Sequence, residues 1–256
     1  MAELTPLSAR IGRLGLPAAW LCLVLGGGCP AQAADELVVG VQGQAPPMSF
    51  RDARGDYAGY SVDMARAACK EMGRNCRFVP LTIAGAVDDL RQGRIDIAAI
   101  SLLPTPERRA QILLARPYVT SISAWVARAG LLPEQTGVRV AVVQGSAQAR
   151  YAAQQQWQRV EVLTHSELPG LLQQGRADGL LAPMMTVIGL MKDPGLQALN
   201  LSVQPRREPE LSGPASFGVT PLKPELKTQL DAALERLERN GVYDRINSQY
   251  LSIRVN

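Results

Sequence analysis

Gln92-Gly93-Arg94-Ile95-Asp96 returns far downstream as Gln174-Gly175-Arg176-Ala177-Asp178. Each stretch ends a segment of helical periodicity and opens an apolar run, so each is a helix-to-strand corner with glycine as the stop. One corner used twice argues for two similar α/β lobes rather than one large sheet. The surrounding pattern alternates accordingly. A strand is expected at Leu37–Val41, a helix over 61–72, a strand over 76–80, a helix around 86–92 and a buried strand over 95–100. Thr105-Pro106-Glu107-Arg108 then opens a helix, with Thr105 as N-cap, Pro106 at the first helical position and Glu107 facing the dipole. The pattern restarts with a strand over 138–143, a helix over 147–156, a strand over 160–163, a helix over 167–174 and a strand running through Ala182. Residues 224–250 form two helices broken at Gly241.

The chain of 256 residues opens with Arg10 and Arg13, an apolar run from Leu14 to Leu25, and Ala31-Gln32-Ala33. A basic start, a short apolar run and a small-x-small ending describe a secretory signal cleaved after Ala33. A retained N-terminal anchor is the alternative, although the run is short for a span of roughly 20 apolar residues. Lipid attachment at Cys29 is a second alternative, but Gly26 stands where a larger aliphatic residue would be expected. Cleavage removes Glu3, Arg10 and Arg13 and lowers the formal net charge of +4 by one. Such a mildly basic chain, without a dense Lys/Arg run, calls for no nucleic-acid partner. No later segment is apolar enough for long enough to cross a bilayer, and the exported part is large enough for a substantial core or two.

Cys22 and Cys29 leave with the signal, so Cys69 and Cys76 are the cysteines that remain. Two cysteines in an exported domain point to a disulfide, with free thiols as the alternative. Val62, Ala65, Ala68, Cys69 and Met72 recur at helical spacing before Gly73, and Cys76 opens a strand. The bridge would tie the helix's last turn to that strand.

Gly59-Tyr60-Ser61-Val62-Asp63-Met64, Leu90 to Asp96, Thr105-Pro106-Glu107-Arg108, Pro117-Tyr118 and the tail Leu234 to Tyr250 resemble, in this order and spacing, the extracellular solute-binding proteins of family 3. These are the polar amino-acid receptors of ABC importers. The Cys69/Cys76 pair is similar to a bridge in histidine- and lysine/arginine/ornithine-binding members. The resemblance implies a two-lobed periplasmic binding protein fold of type II. Lobe 1 would span 34–119 and 215–256, and lobe 2 would span 120–214, joined by two hinge crossings. It further implies a monomer in the periplasm that closes on a carboxylate-bearing ligand and presents a closed surface to a permease in the inner membrane. No phosphate-binding loop is present, so the transport machinery would be other proteins.

Carried onto this chain residue by residue, the resemblance makes Arg108 the carboxylate anchor, a planar guanidinium beside backbone N–H groups. Without it, Arg108 would read as a surface arginine paired with a neighbouring acid. Ser101 is a ligand-facing position, or simply a small residue ending a strand. Ala45, Met48 and Ile83 stand where aromatic rings usually sandwich the ligand, and Leu103 stands where a hydroxyl usually helps hold the carboxylate. Ala147 replaces a second common hydroxyl, with polar Gln144 and Ser146 beside it. Gln42 takes the place that reads a basic side chain. Pro183 occupies the position of the acid that pairs with the ligand's ammonium. Met48, Met184 and Met185 could fit irregular apolar shapes or could be core fillers.

The pocket therefore keeps an anion anchor and loses its ammonium partner, which favours an apolar or non-amino-acid carboxylate. Cyclohexadienyl dehydratases resemble this family, so an exported enzyme is the alternative. The positions that look catalytic in that comparison are Ala147, Gln148 and Pro183, none of them acidic. His165, the single histidine, is expected in a solvated strand-to-helix junction. With neither a metal cluster nor a nucleophile–base pair visible, no enzyme activity, metal or cofactor is expected. A receptor that signals through a partner protein is a third class.

Overall fold

Two aspartates organise the two lobes in the same way. The computed structural model describes residues 1–3 and 36–250. The expected signal beyond its first three residues, with Cys22 and Cys29, lies outside the described residues, and the unit that holds both lobes begins at Ala34. β1 (Leu37–Val41) leads to a small antiparallel sheet of β2 (Gln44–Ala45), β3 (Ser49–Arg51) and β4 (Tyr57–Ala58). Then come α1 (Tyr60–Glu71), β5 (Cys76–Pro80), α2 (Ala86–Arg91), β6 (Ile97–Leu102), α3 (Pro106–Arg109) and β7 (Leu113–Leu114). β5 and β6 flank β1 in parallel. At the corner before β6, Asp96 donates its N–H to the Val38 carbonyl, and its Oδ2 accepts the Val38 N–H, both at 2.8 Å.

The second lobe repeats the device. β8 (Val119–Arg128) is followed by β9 (Arg139–Val143), α4 (Ala147–Gln154), β10 (Gln158–Val162) and a 3₁₀ turn at His165–Glu167. α5 (Leu168–Gln173), β11 (Gly179–Pro183), α6 (Met184–Leu190), α7 (Pro194–Gln197) and β12 (Leu201–Arg206) complete it. β10 and β11 flank β9 in parallel. Asp178 donates to the Arg139 carbonyl at 2.9 Å and accepts the Arg139 N–H at 2.8 Å. Gly93 (φ 68°) and Gly175 (φ 63°) supply the left-handed residue that ends each preceding helix. Each carboxylate also takes a cation, Lys223 on Asp96 and Arg139 on Asp178, both at 2.8 Å. The Arg139 hydrogen bond holds Asp178 below the usual carboxylate range.

Two strands cross between the lobes. Residues 119–122 of β8 pair with residues 212–215 of β13 (Ser212–Val219). The rest of β8 pairs with β11 and β12, and the end of β13 pairs with β6 and β7. Strand order therefore runs unbroken as β10-β9-β11-β8-β13-β6-β1-β5. The expectation of two lobes rather than one sheet needs this refinement: the shared crossing strands hydrogen-bond to each other and join the lobes' sheets. Each lobe keeps its own core. Tyr60, Met64, Phe217, Leu230 and Leu234 fill the first, under α8 (Pro224–Arg239) and α9 (Val242–Tyr250). Leu168, Leu180, Val187 and Leu196 fill one face of the second, and Trp125, Val140 and Leu211 fill the other.

The expected strand over 95–100 lies at Ile97–Leu102 instead, because Ile95 and Asp96 are consumed by the corner. The long strands β8 and β13, the small sheet β2–β4 and helices α6 and α7 were not foreseen. Cys69, in the last turn of α1, is bonded to Cys76 at the start of β5, with Cα atoms 6.2 Å apart. Closing so short a loop stabilises by about 2–3 kcal/mol through the unfolded chain. Replacing both cysteines with alanine should lower the unfolding free energy by about that amount in urea titrations. An unchanged midpoint would show that the bridge constrains nothing that α1 and β5 do not already hold.

Candidate functional site

The carboxyl ends of the parallel strands in both lobes face one cleft, the usual ligand position in α/β sheets. Gln42 follows β1, Ile100 to Leu103 end β6, Ser146 to Gln148 open α4 after β9, and Pro183 ends β11. All of them line a cavity of about 60 Å³. Ala45, Met48, Ile83, Arg108, Met185 and His165 line the same cavity. Of the residues singled out from sequence, Gln42, Met48, Ile83, Ser101, Leu103, Arg108 and Ser146 are thus brought together. Gln144 is not. Its N–H pairs with the Val162 carbonyl at the end of β9 and its side chain is exposed outside the cavity. Met184 also turns away, into the core beside Val187.

Arg108 is positioned by the local sequence. Thr105 caps α3 by accepting the Arg108 N–H at 3.3 Å, and Pro106 follows at the first helical position. The guanidinium is turned inward, with the residue only 8 % exposed. It donates to the Leu103 carbonyl at 2.9 Å and to the Gly145 carbonyl at 3.1 Å. Among the described residues it has no salt bridge, so a surface ion pair with a neighbouring acid is excluded. Burial, helped by the charge of Arg150, pulls its pKa down to about 10. It remains a cation at neutral pH. On its other side lies an open groove of about 440 Å³ where Glu107 faces Arg150 at 3.6 Å.

His165 corrects the expectation of a solvated residue. It is 3 % exposed, and its Nδ1 lies 3.4 Å from Gln42 Nε2 across the cleft. Burial pushes its pKa down to about 4, so the ring is neutral. Next to it, Ser166 Oγ donates to Gln44 Oε1 at 2.7 Å. The lobes touch elsewhere too. A Cβ on Gly145 would stand 2.6 Å from Ala84 Cα, and one on Gly189 2.3 Å from the Pro46 carbonyl oxygen. The cleft is closed.

Ser49, Ser61, Thr120, Ser121 and Thr186 also line the cavity and were missed. Single hydroxyl residues carry no pattern in sequence. Several are already engaged: Ser61 and Ser101 each bond the Tyr118 hydroxyl at 2.7 Å, and Ser49 donates to the Gln42 carbonyl. Gln148 donates to Ser123 Oγ at 2.8 Å.

The sequence profile of the bacterial extracellular solute-binding proteins, family 3, matches residues 37–253. The chain belongs to this family. Among its relatives is the L-arginine-binding protein of Pseudomonas aeruginosa, 27 % identical over 238 residues, which cover 88 % of this chain and 92 % of that protein. The ABC transporter arginine-binding protein 1 of Escherichia coli (strain K12) is 24 % identical over 227 residues, 86 % of this chain and 92 % of that protein. The fold matches an ancestral arginine-binding protein bound to arginine with a TM-score of 0.77 and 24 % identity, covering 86 % of this chain and all of that one. The protein is a solute-binding protein with the two-lobed type II fold. Among the described residues, no helix is long and apolar enough to cross a membrane, and no group of three His, Cys, Asp or Glu could hold a metal.

The neutral state of His165 has a pH signature for this solute-binding protein. Its folded pKa, about 4, lies below the unfolded value of about 6.5. Below pH 6.5 the unfolded chain binds a proton that the folded chain refuses. The stability from the neutral ring is therefore complete above that pH and lost as pH falls towards 4. Urea unfolding from pH 7 to pH 4 should show a shallower loss for His165→Gln than for the wild type. Parallel curves would place His165 in water.

Proposed function

We propose that this protein is an exported receptor that closes two lobes over a small carboxylate-bearing ligand and passes it to an ABC importer in the inner membrane. The ligand is an amino acid or a related organic acid. The lobes are assigned to 34–119 with 215–256 and to 120–214, and the basic, apolar and small-residue pattern of residues 1–33 supports export to the periplasm. One observation carries the ligand class. Arg108 is buried in the cavity wall with two backbone carbonyls and, among the described residues, no carboxylate as partners. A desolvated cation left so is costly unless an anion joins it, and a guanidinium with free N–H groups suits a carboxylate bidentately.

The transport role draws support from relatives named for ABC transporter and arginine binding. Closure is supported by contacts between the lobes, since Arg108, Gln42 and Gln44 each bond a residue from the opposite side of the cleft. The ligand would complete that set, and its departure would free the crossing segments of β8 and β13 to flex. A binding role, not catalysis, fits the lining, because elimination or hydrolysis needs a positioned acid or nucleophile–base pair. Ala147, Gln148 and Pro183 supply neither.

The test is a carboxylate panel measured by thermal shift and calorimetry. A ligand at about a hundred times its dissociation constant should add about 2.7 kcal/mol of stability. Arg108→Ala should weaken that binding by about 2–5 kcal/mol, or about 30-fold to several thousand-fold. Affinity unchanged in the variant would remove Arg108 from the anchor role.

A further inference from the structure

The charge inside the closed cavity narrows the ligand further than its carboxylate does. Among the described residues that line the cavity, Arg108 is the single charged side chain. The others are apolar, or are serines, threonines, glutamines and a histidine. The acid nearest to Arg108 in sequence, Glu107, faces the outer groove and pairs with Arg150. A monocarboxylate would make the closed cavity neutral. A zwitterion would leave one net positive charge enclosed, with its ammonium served only by neutral acceptors. Some of those hydroxyls are already engaged: Ser146 caps α4 by accepting the Ala149 N–H, and Ser61 and Ser101 share the Tyr118 hydroxyl.

His165 adds a second argument. If Gln42 Nε2 donates to Nδ1, the neutral imidazole carries its proton on Nε2. That nitrogen donates, so it suits a carbonyl or hydroxyl oxygen and cannot accept from an ammonium. Size gives a third. An enclosed cavity of about 60 Å³ is a small site, which favours a short ligand.

We propose that the cavity selects short 2-oxo or 2-hydroxy monocarboxylates over the corresponding L-amino acids. This rests on the proposed receptor role and deepens it. It also separates this pocket from those that pair both ends of a zwitterion.

Calorimetry on refolded full-length protein, so that no bound molecule is carried through purification, tests it with two matched pairs of probes. These are pyruvate against L-alanine and 2-oxobutyrate against L-2-aminobutyrate. Each oxo acid should bind about tenfold or more tightly than its partner, the difference expected of an ammonium buried without a countercharge. Pro183→Asp supplies the converse. Pro183 ends β11 against the cavity and is the N-cap of α6 with φ −57° and ψ 135° and no side-chain cap. Aspartate suits that backbone and that capping position. The variant should bind L-alanine about tenfold more tightly than the wild type and pyruvate less tightly. If the wild type binds the amino acids as tightly as the oxo acids, or more so, the selectivity is overturned while the carboxylate receptor stands. If none of the four probes binds, the selectivity falls, and the receptor reading is decided by the wider carboxylate panel. The wild-type comparison decides the matter even if Pro183→Asp does not fold.

Discussion

The guanidinium of Arg108 bridges the two lobes and, among the described residues, makes no salt bridge. Arg108 reaches the Leu103 carbonyl at the end of its own lobe's β6 and the Gly145 carbonyl in front of α4 across the cleft. Both bonds exist together only when the cleft is shut, so the cation marks where closure and ligand charge meet. Its burial costs free energy that two neutral acceptors do not return in full. On the proposed receptor reading, an anion in the cavity would offset that cost, and the same ion would supply affinity and favour the closed state.

The frame that holds Arg108 is built from a repeated part. Asp96 and Asp178 each lock a helix-to-strand corner onto the first residues of a central strand through paired backbone bonds. Each lobe then receives a fourth strand that runs to the other lobe: β13 lies against β6, and β8 lies against β11. Each lobe's central strand is pinned in this way, and most of each core belongs to one lobe, with Ala147 and Met185 of the second reaching the first. Between them the crossing segments pair Ser121 with Gly213 in the ladder, and Val119 and Ala215 at their ends pack into the first lobe's core.

Much of this was legible in the sequence, and the gaps have physical reasons. The repeated corner shows in the chain because glycine and aspartate have local duties there, a left-handed backbone and a carboxylate aimed at nearby N–H groups. Thr105 and Pro106 disclose α3 for the same reason, and with it the place of Arg108. The crossing strands left no trace, since Val119–Arg128 and Ser212–Val219 mix serine, threonine and small residues whose pairing is decided by distant partners. His165 was misplaced because its neighbours form a capping box that reads as a surface turn. Its burial comes from Gln42, far away in the chain. Gln144 erred in the other direction: its neighbour Gly145, at φ 74°, ends the strand and the Gln144 side chain is left in solvent. Local duties are written in sequence, and contacts made by closing two lobes are not.

The most direct measurement compares the unfolding free energy of wild type and Arg108→Met, each without ligand and with saturating 2-oxobutyrate. If Arg108 is a buried cation waiting for an anion, the empty variant should fall no more than about 1–3 kcal/mol below the empty wild type, the cost of leaving the Leu103 and Gly145 carbonyls without their donor. The stabilisation by 2-oxobutyrate should vanish with the guanidinium. A variant that loses several kcal/mol when empty, or that keeps its full response to 2-oxobutyrate, would show instead that Arg108 holds the protein together and that the anion is bound elsewhere.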